Sequence, residues 1–243
     1  GHGACGLTRM VSHSCNIAAA HFALLIGAEH YRGFLERLGL GRRTGIGLPG
    51  EAAGALRAVE DMRVRDLANL GFGQGVSVTD VQMLSAICAV ANGGTLMQPH
   101  IVRAVMDAET NRPVREIEPL ALSRVCSAVT SMKVREMMEA VVERGTGRFA
   151  AIEGLRVGGK TGTAQKWIKE EGGFVEGRNI VSFVMVAPLE DPRFAILVTA
   201  DEPAVGEHGA DVAAPVAKTV ALAALRQAGL LPEQVEIAAD TGM

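Results

Sequence analysis

The sequence lacks three features that would point to common functional classes: excess positive charge, a long apolar run and clustered metal ligands. Its formal net charge is −3 over 243 residues, so there is no electrostatic reason to expect nucleic-acid binding. The longest apolar run, "IVSFVMVAPL", has the length of a strand and is too short to span a bilayer. The four cysteines are irregularly spaced, and the six histidines include no H-E-x-x-H pattern. We therefore expect free thiols, no metal site and no cofactor.

Apolar residues spaced three and four apart predict four helices along the chain. The first would begin after Ser14 or Asn16, either of which could serve as its N-cap, and would end at Gly39. The second begins with the capping box "TDVQ" at Thr79 and ends in "NGG". The four predicted ranges are 16–38, about 79–91, 131–144 and about 212–228.

Two apolar segments, "VSFVMVAP" and "RFAILVTA", are joined by "LEDP" and predict an antiparallel hairpin. Their nearly continuous apolar character indicates that helices cover both faces of the sheet. The segment "RVGGKTGTAQK" precedes them and predicts a further strand of the same sheet. The order of elements indicates an α+β fold in which residues 1–150 are mostly helical. Residues 151–226 would supply the strands and the last helix, and residues 227–243 a weakly ordered tail.

The stretch "GGKTGTAQK" carries the strongest chemical pattern in the chain. In a regular strand, Lys160 and Gly162 lie on one face and Thr161 and Thr163 on the other. An exposed sheet edge of this kind can accept an extended peptide as an additional strand. The amine and the hydroxyls could then hold the terminal carboxylate of that peptide. The alternative is an ordinary edge strand whose lysine discourages aggregation.

A second short element, "SHSCN", places Ser14 two residues before Asn16. Alone it fits an ordinary helix N-cap equally well. Together with K-T-G it gains weight, because S-x-x-K, S-D-N and K-T-G form the joint signature of serine β-lactamases and penicillin-binding proteins. An S-x-N form of the second motif and the K-T-G motif are present here, in the same order.

Over residues 1–226 the chain resembles the C-terminal part of a class B penicillin-binding protein transpeptidase domain. Besides the two motifs, further blocks resemble the family in the family's order. They are "TGIGLPGE", "LGFGQGVSVTDVQMLSAICAVANGGTLMQPHIV", "VVERGTGRFAAIEGLRVGGKTGTAQK" and "VAPLEDPRFAILVTADEP". The resemblance implies an antiparallel sheet covered by helices, as in β-lactamases and transpeptidases, and a protein that cross-links peptidoglycan.

The resemblance also implies a role for each motif residue. Ser14 and Lys160 would relay a proton to the leaving amine, and Asn16 would position the substrate amide. Thr161 and Thr163, with Gly162 between them, would bind the carboxylate of a stem peptide or of a β-lactam. The implied setting is a membrane-anchored cell-wall synthesis complex at the extracytoplasmic face of the cell membrane.

The nucleophile motif S-x-x-K is missing, because no serine stands three positions before any of the five lysines. "TSMK", from Thr130 to Lys133, has the spacing with a threonine, and helix capping is the preferred interpretation of Thr130. We therefore expect a fragment that is inactive alone, because it lacks the family's nucleophile, its first two strands and its membrane anchor. An unpaired sheet edge is expected along "RFAILVTA".

Two other functions remain open from the sequence. One is a β-lactamase or β-lactam sensor of the same fold, which would need a base to activate a deacylating water. The other is a noncatalytic module that binds peptides or cell-division partners. Trp167 and Phe174, which flank the segment after the motif strand, fit either an aromatic wall over the site or simple hairpin packing.

Overall fold

The computed structural model describes residues 3, 5–168, 170–204, 206 and 208–231. The helices are α1 Leu7–Ser12, α2 Asn16–Ile26, α3 Ala28–Arg37, α4 Val64–Gly71, α5 Asp80–Ala91, α6 Ala128–Arg144 and α7 Gly209–Gln227. The strands are β1 Thr95–Met97, β2 Ala104–Met106, β3 Pro113–Glu116, β4 Ala121–Arg124, β5 Gly158–Ile168, β6 Gly173–Ala187 and β7 Phe194–Asp201. Short 3-10 turns occur at Val59–Asp61 and Arg148–Ala150.

The main sheet contains three antiparallel strands in the order β5-β6-β7. The predicted hairpin is confirmed as β6 and β7, with Phe183 opposite Val198. The motif strand is confirmed as β5, which pairs with β6 so that Lys160 lies opposite Val184. Within the described residues β5 and β7 are the two edges of this sheet, so the "RFAILVTA" segment does lie at an edge.

Helices cover both faces of β6, as its continuous apolar character predicted. Phe183 and Met185 are buried against α7, whose Ala217 and Ala221 present a small-residue surface to the sheet. Val186 is buried on the other face, in a cluster with Met138 of α6. Side chains alternate along a strand, so this two-sided burial requires apolar residues at consecutive positions. The fold is therefore α+β, with helices on both faces of an antiparallel sheet.

The prediction of a single helix over 16–38 is wrong, because the chain forms two helices separated at Gly27. Gly27 has φ +82°, a left-handed conformation that a continuing α-helix does not contain. Apolar spacing alone did not reveal this break, because residues on both sides of Gly27 keep the helical period. The prediction of Ser14 or Asn16 as N-cap is also wrong: Cys15 occupies that position, without a side-chain capping bond.

The other helices agree with the sequence more closely. The capping box is present, with Thr79 Oγ1 accepting from the Gln82 N–H at 3.2 Å. Helix α6 ends at Gly145 as predicted but begins three residues earlier, where Ser127 accepts a hydrogen bond from the Thr130 N–H. Thr130 is thus not the cap, and it lies in the first turn of the helix.

Residues 39–58 form no regular helix or strand. Two small two-stranded sheets, β1-β4 and β2-β3, were not predicted. Among the described residues no helix is both long and apolar enough to cross a lipid bilayer. Most of the predicted tail, from residue 232 onward, lies outside the described residues.

Candidate active site

The two motifs, separated by more than 140 residues in sequence, meet in the structure. Lys160 Nζ on β5 donates a hydrogen bond to Ser14 Oγ at 2.9 Å. The same ammonium donates to the Thr161 carbonyl at 2.9 Å and lies 3.3 Å from Thr161 Oγ1. The flexible lysine stem therefore brings its charge to Thr161, although the two side chains leave the strand on opposite faces.

The surroundings of Lys160 make it a readier proton donor than an ordinary lysine. Burial lowers its pKa from 10.5 to about 8, because a partly enclosed cleft solvates an ammonium less well than water does. No carboxylate pairs with this ammonium within the described part of the chain. Lys160 can therefore give and take a proton near neutral pH, and it remains mostly cationic at pH 7.

Ser14 is positioned by the end of the helix that precedes it. Its N–H donates to Val11 O at 3.3 Å, and the Cys15 N–H donates to Met10 O at 3.0 Å. These two bonds form a Schellman motif, which closes helix α1 and requires a left-handed residue at the position of Ser14. Ser14 accordingly has φ +52°, where glycine is the usual residue. The backbone thus holds the hydroxyl in a conformation that costs about 1 kcal/mol for a residue with a Cβ.

A close backbone approach holds the Ser14 loop against the sheet. The Thr146 N–H donates to Ser12 O at 3.0 Å, and Thr146 Oγ1 lies 3.0 Å from Thr161 Oγ1. A Cβ at Gly145 would stand 2.2 Å from Ser12 O, so only glycine permits this approach. Thr146 therefore links the end of α1 to the motif strand. Sequence reasoning did not single it out, and the signal was the "GTG" that follows α6.

The remaining motif residues make no side-chain hydrogen bond to the Lys160–Ser14 pair within the described part of the chain. Thr163 is exposed on β5, one pleat beyond Thr161, and Asn16 is exposed in the first turn of α2. The missing side chain of Gly162 makes room for Ser182, whose Oγ would lie 2.4 Å from a Cβ there. That space is therefore filled from within the protein, and Gly162 does not leave room for a ligand on that face.

Other candidate groups lie outside this cluster. The described residues contain no group of three histidine, cysteine or acidic side chains that could hold a metal ion. All four cysteines are free, and Cys15 between the two S-x-N residues is buried. Thr130 Oγ1 lies 2.9 Å from Ser127 Oγ at the start of α6, where both hydroxyls serve the helix terminus.

Trp167 and Phe174 face each other across the β5–β6 hairpin. Each is 55% exposed, so neither is simply buried by hairpin packing. Both line a cavity of about 300 Å³ together with residues of α4 and the loop before it. Trp167 lies on the same strand as Lys160, seven residues further along the chain.

Comparison with known proteins gives a consistent result. Residues 1–222 match the family described as penicillin binding protein transpeptidase domain. The chain is 39% identical over 238 residues to stage V sporulation protein D of Bacillus subtilis, and the alignment covers 98% of this chain and 36% of that protein. It is 32% identical to a probable peptidoglycan D,D-transpeptidase, PenA, of Neisseria meningitidis, with 92% and 36% covered.

Solved structures agree with these sequence relatives. Penicillin binding protein 3 of Mycobacterium tuberculosis in its apo form superimposes with a TM-score of 0.85 at 34% identity, covering 96% of this chain and 54% of that chain. Its complex with aztreonam superimposes with a TM-score of 0.83. The chain spans about a third of the length of the two curated relatives, from Bacillus and Neisseria.

Proposed function

Because this chain belongs to the penicillin-binding protein transpeptidase family, we propose that it is part of a serine D,D-transpeptidase that cross-links peptidoglycan stem peptides. The observation that carries the proposal is the 2.9 Å contact between Lys160 Nζ and Ser14 Oγ, which joins the two family motifs at one point. The lowered pKa of Lys160 suits this contact to proton transfer, because a proton-transfer group is most efficient when its pKa lies near the operating pH.

In the proposed acylation step a serine from outside these 243 residues gives its hydroxyl proton to the lysine of its own S-x-x-K motif and attacks the carbonyl of the penultimate D-alanine. A C–O bond forms, and the C–N bond to the terminal D-alanine breaks. The leaving amine takes a proton from Ser14 Oγ, and Lys160 Nζ returns one to Ser14. An amine of a second stem peptide then attacks the acyl carbon and passes one proton through Ser14 to Lys160. A C–N bond forms, the ester C–O bond breaks, and the S-x-x-K lysine returns its proton to the released serine.

The substrate is held at its carboxylate by the threonines of β5. Thr161 and Thr163 donate hydroxyl hydrogen bonds to it, and the Lys160 ammonium supplies the opposite charge at Thr161. The Thr163 N–H serves as one oxyanion donor, and Asn16 holds the substrate amide. A β-lactam carries a carboxylate in the corresponding place and would occupy the same clamp. The parent protein would act at the extracytoplasmic face of the membrane within a cell-wall synthesis complex.

The motif S-x-x-K does not occur in this sequence, so we propose that the chain does not acylate alone. The test is to incubate it with excess benzylpenicillin and to record the intact mass, beside a longer polypeptide of the same gene that contains the serine motif. We expect no adduct on the 243-residue chain and one on the longer polypeptide. A stoichiometric adduct on the short chain would contradict the proposal.

The longer polypeptide also tests the role assigned to Lys160. Lys160→Met should slow adduct formation by about 10²–10⁴-fold, the usual contribution of a positioned proton-transfer group. Lys166→Met is the matched control, because Lys166 lies on the same strand but pairs with Asp201 and Glu202, away from Ser14. Equal rates for the two variants would refute the relay. Rapid turnover of the adduct would instead indicate a β-lactamase.

A further inference from the structure

A cavity of about 300 Å³ lies between helix α4 and the tip of the β5–β6 hairpin. Trp167 and Phe174 line one side, and Arg32, Arg57, Arg65 and Asp66 line the other. The α4 side is held by internal hydrogen bonds. Arg32 Nε donates to Arg57 O at 3.0 Å, and Asp66 Oδ2 accepts from the Arg63 N–H at 3.0 Å. This wall is therefore preorganised and does not need a ligand to form it.

The charges that line the cavity do not cancel. The Arg57 guanidinium pairs with Asp66 at 3.1 Å, and Arg32 pairs with Glu36 one turn along α3. Arg65 is exposed and has no ion pair within the described part of the chain. One guanidinium thus remains available at the cavity, where its planar fork suits a carboxylate. The expected ligand group is anionic.

The opposite wall offers aromatic surface that the described part of the chain leaves about half uncovered. More than half of the Trp167 and Phe174 side-chain surface is accessible although both residues border a cavity. Exposed aromatic rings beside a polar rim are typical of binding sites, because they present large rigid areas at a small entropic cost. An aromatic wall facing a guanidinium suits a chain segment that carries both apolar groups and a carboxylate.

The cavity lies along the strand that carries the proposed carboxylate clamp. Trp167 is four residues beyond Thr163, and the register of β5 is irregular between Gln165 and Trp167. The two residues are therefore at most about 13 Å apart along the strand. Strand β5 is an edge of its sheet within the described residues, and an edge strand can pair with an added antiparallel strand. A peptide whose carboxyl end lies at Thr163 would therefore reach the cavity with its fourth to sixth residue from that end.

We propose that this cavity binds a carboxylate in the amino-terminal half of the stem peptide whose carboxyl end is held by the clamp. Arg65 pairs with the carboxylate, and Trp167 and Phe174 pack against the adjoining chain. The inference rests on the proposed function, because it requires the clamp to hold the other end of the peptide. It adds a specificity element that would distinguish a peptide with a free side-chain carboxylate from its amidated form.

The test uses the sole tryptophan of the chain, Trp167, as a reporter inside the cavity. The probes are two synthetic peptides of about six residues that end in D-Ala-D-Ala, one with an amino-terminal glutamate and one with glutamine. Acetylated D-Ala-D-Ala is a third probe, which reaches only the clamp. The dissociation constants are measured by calorimetry, and tryptophan emission is recorded in parallel.

We expect the glutamate peptide to bind about fivefold more tightly than the glutamine peptide, which is the scale of one partly exposed ion pair. Only the longer peptides should change Trp167 emission. Arg65→Gln should abolish the preference, and Arg112→Gln, which alters an exposed arginine of the β2–β3 turn, should retain it.

The three probes separate the two proposals. If acetylated D-Ala-D-Ala binds but the glutamate and glutamine peptides bind equally, the cavity inference is overturned and the clamp stands. If none of the probes binds, the clamp itself is refuted, and the inference falls with it. A preference that survives in Arg65→Gln would also overturn the inference, because the carboxylate would then be recognised elsewhere.

Discussion

Replacing Lys160 by methionine should change how the stability of the protein depends on pH. Burial lowers the pKa of the Lys160 ammonium from 10.5 to about 8, whereas the unfolded chain restores the ordinary value. Between these two pH values the unfolded state binds the additional proton, so the free energy of unfolding rises with pH. Below pH 8 the folded protein holds an ammonium that its surroundings solvate poorly, and that destabilisation is fully present.

The size of the effect follows from the same values. The lowering from 10.5 to about 8 corresponds to an upper limit of about 3 kcal/mol, since one pH unit is about 1.4 kcal/mol. Lys160 remains partly exposed, and solvent screening reduces the expected value to about 1–2 kcal/mol. Methionine is of similar length and carries no charge, so Lys160→Met removes the titration and keeps most of the packing.

The measurement is urea denaturation of the wild type and of Lys160→Met at several pH values from 6.5 to 10. We expect wild-type stability, relative to the variant, to rise by about 1–2 kcal/mol as the pH increases above 8. The contributions of groups that titrate in both proteins cancel when the two free energies of unfolding are subtracted. Lys133→Met is the control, because Lys133 is exposed on α6. The difference in free energy of unfolding between the wild type and this variant should not change with pH. A flat difference for Lys160→Met as well would refute the argument that burial controls this lysine.

Two further predictions concern backbone positions. Ser14 occupies the left-handed position of a Schellman motif, so Ser14→Gly should be about 1 kcal/mol more stable than Ser14→Ala in denaturant unfolding. Both variants lose the hydroxyl, and equal stabilities would show that the φ of Ser14 carries no strain. Gly159→Ala should destabilise the protein by about 1–3 kcal/mol, because its Cβ would lie 2.4 Å from Phe183 Cζ. Gly173→Ala is the control in the same sheet, where a Cβ meets nothing within 4 Å, and similar losses for both would contradict the packing argument.

The sheet could be predicted from the sequence because its signals are local. The nearly continuous apolar character of the segment around Phe183 follows from burial on both faces, because each apolar residue reflects its own buried surroundings. The break at Gly27 could not be predicted in the same way. Glycine is tolerated inside a helix at a modest cost in stability. Only the positive φ of Gly27 shows that the chain forms two helices here and not one continuous helix.

The residues of the candidate site could be named from motifs, but their physical state could not. Ser14 was expected as a possible helix N-cap, whereas the structure places it one residue before the N-cap of α2 and just after the end of α1. The position of Ser14 is set by the carbonyl groups to which the Ser14 and Cys15 N–H groups donate, and sequence spacing does not show these bonds. The lowered pKa of Lys160 likewise depends on enclosure by segments far apart in the chain, including the loop that Thr146 holds.

Two features of the site, the partly buried Lys160 ammonium and the left-handed Ser14, lower the stability of the folded protein. A partly buried ammonium without a carboxylate partner and a serine in a left-handed conformation each cost free energy that folding alone does not require. Lys160 Nζ and Ser14 Oγ are hydrogen-bonded to each other at 2.9 Å, so both unfavourable free-energy contributions belong to the same pair of residues. A lysine with a carboxylate partner would be more stable and a poorer proton donor at neutral pH, because the pairing would raise its pKa. In the proposed relay these unfavourable surroundings would favour proton transfer by Lys160 and Ser14, and substitutions that relieve them should gain stability where they lose activity.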